Sequence, residues 1–172
     1  MSGVVLFEIL ILLFTLAVAV FMKVKGYKNI LRKFVILFVS VLLFEIMSEP
    51  MWMNVGFQNW AYLWQDITWV ITLGWVGIFM FSFLVVDYAF RGVPEKRKFW
   101  LYLLLLEVIV VPMESFLVIS GIRAYAPILA DTFSGYFIPF TVVPIEAIYA
   151  VPLFTTLIIC FYKYVNYLFD RR

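Results

Sequence analysis

Apolar residues run along the chain in long blocks, interrupted by short polar connections. Blocks at 4–22, 34–52, 67–90, 100–122 and 137–164 each match or exceed the roughly 17–25 residues a helix needs to cross a bilayer. The last is long enough to tilt or to bend where it begins. Their continuity predicts helices rather than alternating strands. The polar connections differ in charge. "KVKGYKNILRK" holds five basic residues and "RGVPEKRK" four, whereas "PMWMNVGFQNWAYLWQD" has none and "RAYAPILADTFSGY" only Arg123. Basic loops stay on the cytoplasmic side. The pattern therefore predicts an all-α, polytopic membrane helical bundle of about five transmembrane helices, N-terminus out and C-terminus in. The first block has no basic n-region and no small-residue cleavage site, so it reads as a retained helix. The expected location is the cell membrane, crossed several times.

Composition changes this picture only by strengthening it. Apolar residues make up 66% of the chain, charged residues 14%, and mean hydropathy is +1.05. A soluble domain of this size has no interior large enough for that much apolar surface. Aromatic residues reach 20%, enough for interfacial belts and for packing between helices or around a lipophilic ligand. The single cysteine, Cys160, rules out an internal disulfide and a cysteine metal cage. With no histidine, the usual haem and zinc ligands and the commonest general base are missing. No metal site and no cofactor are expected, and acid–base chemistry falls to carboxylates, tyrosines or lysines. A net charge of +2 gives no reason to expect a nucleic-acid partner. The membrane itself, and a lipophilic small molecule or lipid, are the expected partners, with homo- or hetero-oligomers both open.

Candidate chemistry lies in the intramembrane acids. Counted up from the cytoplasmic ends at the helical rise, Glu8, Glu49, Glu114 and Glu146 all stand roughly 20–25 Å high, in the outer half of the hydrocarbon core. Glu45 lies one turn below Glu49, and Glu107 two turns below Glu114. An ionised carboxylate is costly at such depth, so acids there face the bundle interior and mark functional paths. Crowding in low dielectric is expected to raise their pKa values. For a single acid such as Glu8 or Glu107, the alternative is a protonated carboxyl hydrogen-bonded to a neighbouring helix. Pro112 and Pro144 each stand two residues before a glutamate, Glu114 and Glu146, and inside a span each would free carbonyls one turn earlier and open the backbone beside the acid. Trp60, Tyr62, Tyr125 and Tyr149 are the aromatic candidates. Arg123 is positioned to pair with Glu114 or Glu49, or to anchor at the surface. Asp87 and Arg91 read as an i,i+4 ion pair, and Lys163 as a snorkelling side chain.

A short internal similarity joins two segments. In "EPMWMNVGFQNWAY" and "ESFLVISGIRAYAP", Glu49 and Glu114 precede Gly56 and Gly121 by seven residues and the aromatics Trp60 and Tyr125 by eleven. The whole chain, 1–172, reads as one transmembrane domain. Residues 34–99 and 100–172 would be its repeats, and 1–33 an added helix and basic loop. The order acid, glycine, aromatic, followed by "PFTVVPIEAIYAVPLF", resembles the lycopene cyclase domain of bacterial and archaeal carotenoid cyclases and the related carotenoid hydratases. Glu114 would take the family's acid position, Tyr125 the aromatic, and Pro144-Ile145-Glu146 its P-x-E motif. Glu49 and Trp60-Ala61-Tyr62 match the first two elements in the other repeat. The chain departs from the pattern at Ala147, where the second acid would stand, and at "LGWVGIF", where another P-x-E would fall. It also has too few spans for two complete cyclase repeats.

The resemblance implies cofactor-independent chemistry on a polyene or isoprenoid: cyclisation, isomerisation or hydration, as in carotenoid biosynthesis. Glu146 and Glu114 would serve as acid and base, with Glu49 third. Trp60, Tyr125 and Tyr149 would shelter a cation, and Tyr62, Arg123, Asn54, Glu45 and Glu8 would complete the substrate-facing set. Two other readings stay open at this point. In one, a small transporter or channel binds protons or hard cations through the glutamates, with Asn54, Gln58 and Asn59 nearby. In the other, the chain is an accessory subunit whose acids are buried against a larger partner.

Overall fold

The computed structural model describes residues 3–171, and its core is a bundle of long helices. They are α1 (Gly3–Val24), α2 (Ile30–Ser48), α3 (Trp69–Ala89), α4 (Glu95–Ile119) and, after the one-turn α5 (Pro127–Ala130), α6 (Ala147–Asp170). Four of these, α1, α3, α4 and α6, are long and apolar enough to cross a membrane. The remaining long helix, α2, carries Arg32 and Lys33 near its start and Glu45 near its end. At 19 residues it is about 28 Å long.

Burial ranks the helices. In α3, 72% of the most apolar window is buried, against 17% in α1 and in α6. Helix α3 is apolar around its whole circumference, which is the pattern of a central helix. Its Val76, Phe79, Met80 and Val86 are almost completely enclosed. The outer helices instead turn large apolar side chains outward, among them Leu10, Leu13 and Leu16 on α1 and Leu153 on α6. Helix α1 approaches α3 closely because Gly77 offers no side chain. A Cβ built there would lie 2.7 Å from Thr15 Oγ1 and 3.0 Å from Phe14. Small residues permit such close approach between membrane helices. The Thr15 hydroxyl uses it to donate to the Leu73 carbonyl at 2.9 Å.

Charged side chains gather at one end of the bundle. Arg32 at the start of α2 pairs with Asp170 at the end of α6 at 2.6 Å. Lys98 bridges Asp87 (3.3 Å) and Glu95 (3.2 Å), and Lys163 reaches Glu95 at 3.2 Å. Asp87 does not pair with Arg91 as its spacing suggests. Its carboxylate takes Lys98 and the Tyr102 hydroxyl (2.8 Å), because α4 packs beside α3, while Arg91 stacks on Tyr88 at 4.5 Å. Lys163 likewise has an ion-pair partner rather than only a snorkelling role.

The opposite end is closed by short strands. β1 (Trp52–Asn54) pairs antiparallel with β4 (Arg123–Tyr125), with Trp52 opposite Tyr125 and Asn54 opposite Arg123. β2 (Tyr62–Trp64) pairs with β3 (Ile67–Thr68). The Thr68 hydroxyl caps α3 by accepting the Ile71 N–H. Gly56 and Gly121 both adopt left-handed φ, +83° and +71°, where a Cβ would be strained.

Two expected boundaries move. Helix α2 stops at Ser48, and Glu49–Met51 forms a 3-10 turn, since Pro50 has no N–H to continue the ladder. The last apolar block does not become helical at 137. A turn carries the chain instead, with Phe137 bridged to Pro144 and the Ile138 N–H bonded to the Val143 carbonyl at 2.9 Å, and α6 begins only at Ala147. Pro144 therefore lies in a loop and frees no helix carbonyls. Pro152 is the proline inside α6, and Pro112 lies within α4 as expected.

Candidate functional site

A cavity of about 290 Å³ lies between α2, α4 and α6, beneath β1, β4 and the segment 129–146. Val41, Phe44, Val110, Phe154 and Ile158 give it apolar walls, with Trp75 of α3 at its inner side. Glu45, Glu114, Glu146 and Arg123 supply its charged groups.

Each is positioned by a different element. Glu114 sits in the last part of α4, after Pro112, and is 7% exposed. Strand β4, held by β1, carries Arg123 over it, with Nη1 3.4 Å from Glu114 Oε2. The choice between Glu114 and Glu49 as partner is thus settled by the strand register. The guanidinium stacks 4.1 Å from the Trp52 ring, so this cation is paired on one side and π-stacked on another. Glu45 comes from α2 and accepts a hydrogen bond from the Thr72 hydroxyl of α3.

Glu146 ends the loop before α6. Its Oε1 accepts the Ser134 N–H at 2.7 Å, closing the loop on itself. Hydrogen bonding from Ser134, side chain and backbone, holds this carboxyl below its usual value, since such bonds favour the charged form. The shift is opposite to the one expected from crowding. The same loop is fastened to α4 where the Val142 N–H donates to Ser115 Oγ at 3.3 Å.

The aromatic wall is built around Tyr125, whose ring lies 5.3 Å from Trp52 and 5.1 Å, perpendicular, from Phe133. Burial first, and then the Glu114 charge, push its hydroxyl pKa up, with Arg123 opposing. Tyr149, 67% exposed, lies at the edge of the cavity.

Not every expected residue reaches this chamber. Glu8 is fully buried on α1, but it accepts the Gln58 N–H at 2.9 Å and anchors the connection after β1. Glu49 faces the Gln65 amide, whose nitrogen, turned to satisfy both groups, lies 2.8 Å from its Oε1. Asn54 donates to the Asp66 carbonyl at 2.6 Å, and the Tyr62 hydroxyl donates to the Asn54 carbonyl at 2.9 Å. Burial raises the Tyr62 pKa. Trp60 packs on Trp69, ring to ring at 5.0 Å, and its carbonyl accepts the Trp69 indole N–H. These five side chains hold the cap together rather than line the cavity. Helical rise fixes height but not direction around the bundle, which is why Glu8 and Glu49 share the level of Glu114 without sharing its chamber.

Conversely, Trp52, Phe133, Trp75 and Thr72 belong to the site or support it without having been singled out. Trp52 and Phe133 stand in the aromatic-rich connections, which was their only signal in the sequence. Nothing local marks Thr72 or Ser134.

No protein-family model, curated protein or solved structure matches this chain. The chemistry of the site therefore follows from its own groups. Among the described residues, no three His, Cys, Asp or Glu side chains are grouped to hold a metal ion. What the chamber offers is carboxyls able to give or take a proton, a fixed guanidinium, and aromatic faces, all in apolar surroundings that strengthen electrostatic interactions.

Proposed function

We propose that the chain is an integral protein of the cell membrane with five spans, N-terminus out and C-terminus in, whose outer cavity takes one end of a lipophilic polyene or isoprenoid and performs cofactor-independent acid–base chemistry on it. The topology is supported by the basic connections, which meet at one end of the bundle through Arg32–Asp170 and Lys163–Glu95, and by the positive-inside rule. As the fifth span, α2 packs against α3 and α6 with Arg32 and Lys33 at the basic end.

A single observation carries the function. Three glutamates from separate elements and one arginine line a cavity that is otherwise apolar and aromatic. At about 290 Å³ it sits at the small end of the range for ligand pockets, about 300–1,000 Å³. It suits the terminus of a long molecule whose remainder leaves past Tyr149 into lipid. In the proposed step the Glu45 carboxyl gives its proton to a carbon of the terminal double bond, leaving a cation on the neighbouring carbon. Glu146, held ionised by Ser134, removes a proton from an adjacent carbon, and the double bond re-forms in a new position or after ring closure. Tyr125, Trp52 and Phe133 offer their faces to the cation.

The test uses purified protein in nanodiscs, incubated with a panel of acyclic polyenes and isoprenoids, with products separated by mass. Stabilisation by these compounds and not by inorganic cations or small polar solutes is expected, with turnover abolished by Glu146→Gln. Unchanged turnover in that variant removes Glu146 from the mechanism. Stabilisation by inorganic cations alone replaces this reading with a carrier.

A further inference from the structure

The polar atoms of the cavity are unevenly matched. Three carboxyl groups, Glu45, Glu114 and Glu146, reach it against one cation, Arg123. That cation is already engaged by Glu114 Oε2 at 3.4 Å and by the Trp52 ring. Glu114 is more than nine-tenths buried, yet its Oε1 makes no hydrogen bond, and neither do Glu146 Oε2 and the Tyr125 hydroxyl. Neighbouring hydroxyls do not fill these acceptors. Ser48, Thr132 and Thr155 each donate to a carbonyl of their own turn, at 2.8, 2.7 and 2.9 Å. A buried acceptor without a donor costs free energy until one arrives. Glu146 is moreover held in its charged form by Ser134.

The complement to such a site is positive charge on an apolar chain. We propose that the cavity binds a lipophilic cation, an amphiphile whose buried end is an ammonium-type group and whose tail runs out past Tyr149. The charge would lie toward Glu146, away from Arg123, with Phe133 and Tyr125 presenting ring faces to it. An anionic amphiphile would meet like charge, and a neutral one would leave the free oxygens unanswered. The inference rests on the cavity taking an apolar chain, as in the proposed function, and adds a sign of charge that the function alone does not require of its substrate.

Two probes of the same shape test it. Decylammonium, whose head carries N–H donors, is compared with undecane, its uncharged isostere in which a methyl replaces the ammonium, with decyl sulfonate as the anionic control. Binding to the full chain in zwitterionic nanodiscs is read by native mass spectrometry and by concentration-dependent thermal shift. The ammonium is expected to bind at least tenfold more tightly than the isostere, and Glu146→Gln to cut that advantage to threefold or less. Glu95→Gln, at the opposite end of the bundle, is expected to leave it intact. Equal binding of the two probes overturns the inference while leaving the proposed function standing, as does an advantage lost equally in Glu95→Gln. Binding of neither probe, together with no stabilisation by polyenes, overturns both.

Discussion

Replacing Arg123 by methionine would keep most of the side-chain volume and remove the charge paired with Glu114. Both partners are about nine-tenths buried, with side-chain exposures of 9%. Removing one member of a buried pair strands the other, at a cost of about 3–5 kcal/mol. Loss of the stacking on Trp52 adds about 0.5–2 kcal/mol. At about 2–4 °C per kcal/mol for a chain of this length, the lower bound of the first contribution alone corresponds to a fall in Tm of about 6–12 °C. The double variant Arg123→Met/Glu114→Gln removes both charges and is expected to recover most of that loss, because a buried pair replaced as a unit is close to neutral. The assay is thermal unfolding of all four proteins in one detergent, read by tryptophan fluorescence and treated as a double-mutant cycle. A double variant as unstable as the sum of the two singles would refute the coupling between Arg123 and Glu114.

Other substitutions probe the supports of the site. Glu8→Ala leaves the Gln58 N–H without its acceptor and is expected to cost about 1–3 kcal/mol. Glu8→Gln, which keeps an acceptor oxygen, should cost less, and amide exchange at Gln58 should report the difference. Gly77→Val drives a side chain into Thr15 and Phe14 and is expected to lower stability by about 1–3 kcal/mol by overpacking. A cross-link between cysteines placed on α1 and α3 should then form more slowly. Because the Glu146 carboxyl is held below its usual value of 4.5, its bond to Ser134 contributes stability above that pH and loses it as pH falls further through the folded-state value. Protection of the Ser134 amide, relative to intrinsic exchange at each pH, is expected to fall below about pH 4.5 in the parent protein, and to be insensitive to this step in Glu146→Gln, whose amide oxygen still accepts the bond.

The helices were legible because lipid asks little of a sequence beyond apolar length. The same signal misled at 137–146, where Phe137, Ile138, Phe140 and Val143 are as apolar as a span but belong to a turn. Phe140 even takes a left-handed φ of +66° and stands fully exposed. Hydropathy cannot separate a greasy cap from the start of a helix. Among the site residues, Glu114 and Glu146 were visible as acids at a stated height. Their grouping with Glu45 rather than Glu49 was not, since it depends on α2 ending at Ser48 and handing Glu49 to the 3-10 turn. The Arg123–Glu114 contact requires the β1–β4 register, and the Ser134–Glu146 bond requires a loop to close on itself. Neither leaves a trace in local residue order.

The pairing of Trp52–Asn54 with Arg123–Tyr125 has a consequence for biogenesis. The two partners are separated by the whole of α3 and α4, so the ladder forms only after both of those helices have been made. Until then Arg123 has no tryptophan to rest on and the chamber has no roof. Folding should accordingly proceed through a roofless intermediate, and a chain arrested before Tyr125 emerges would lack both the roof and α6, the wall that closes the chamber.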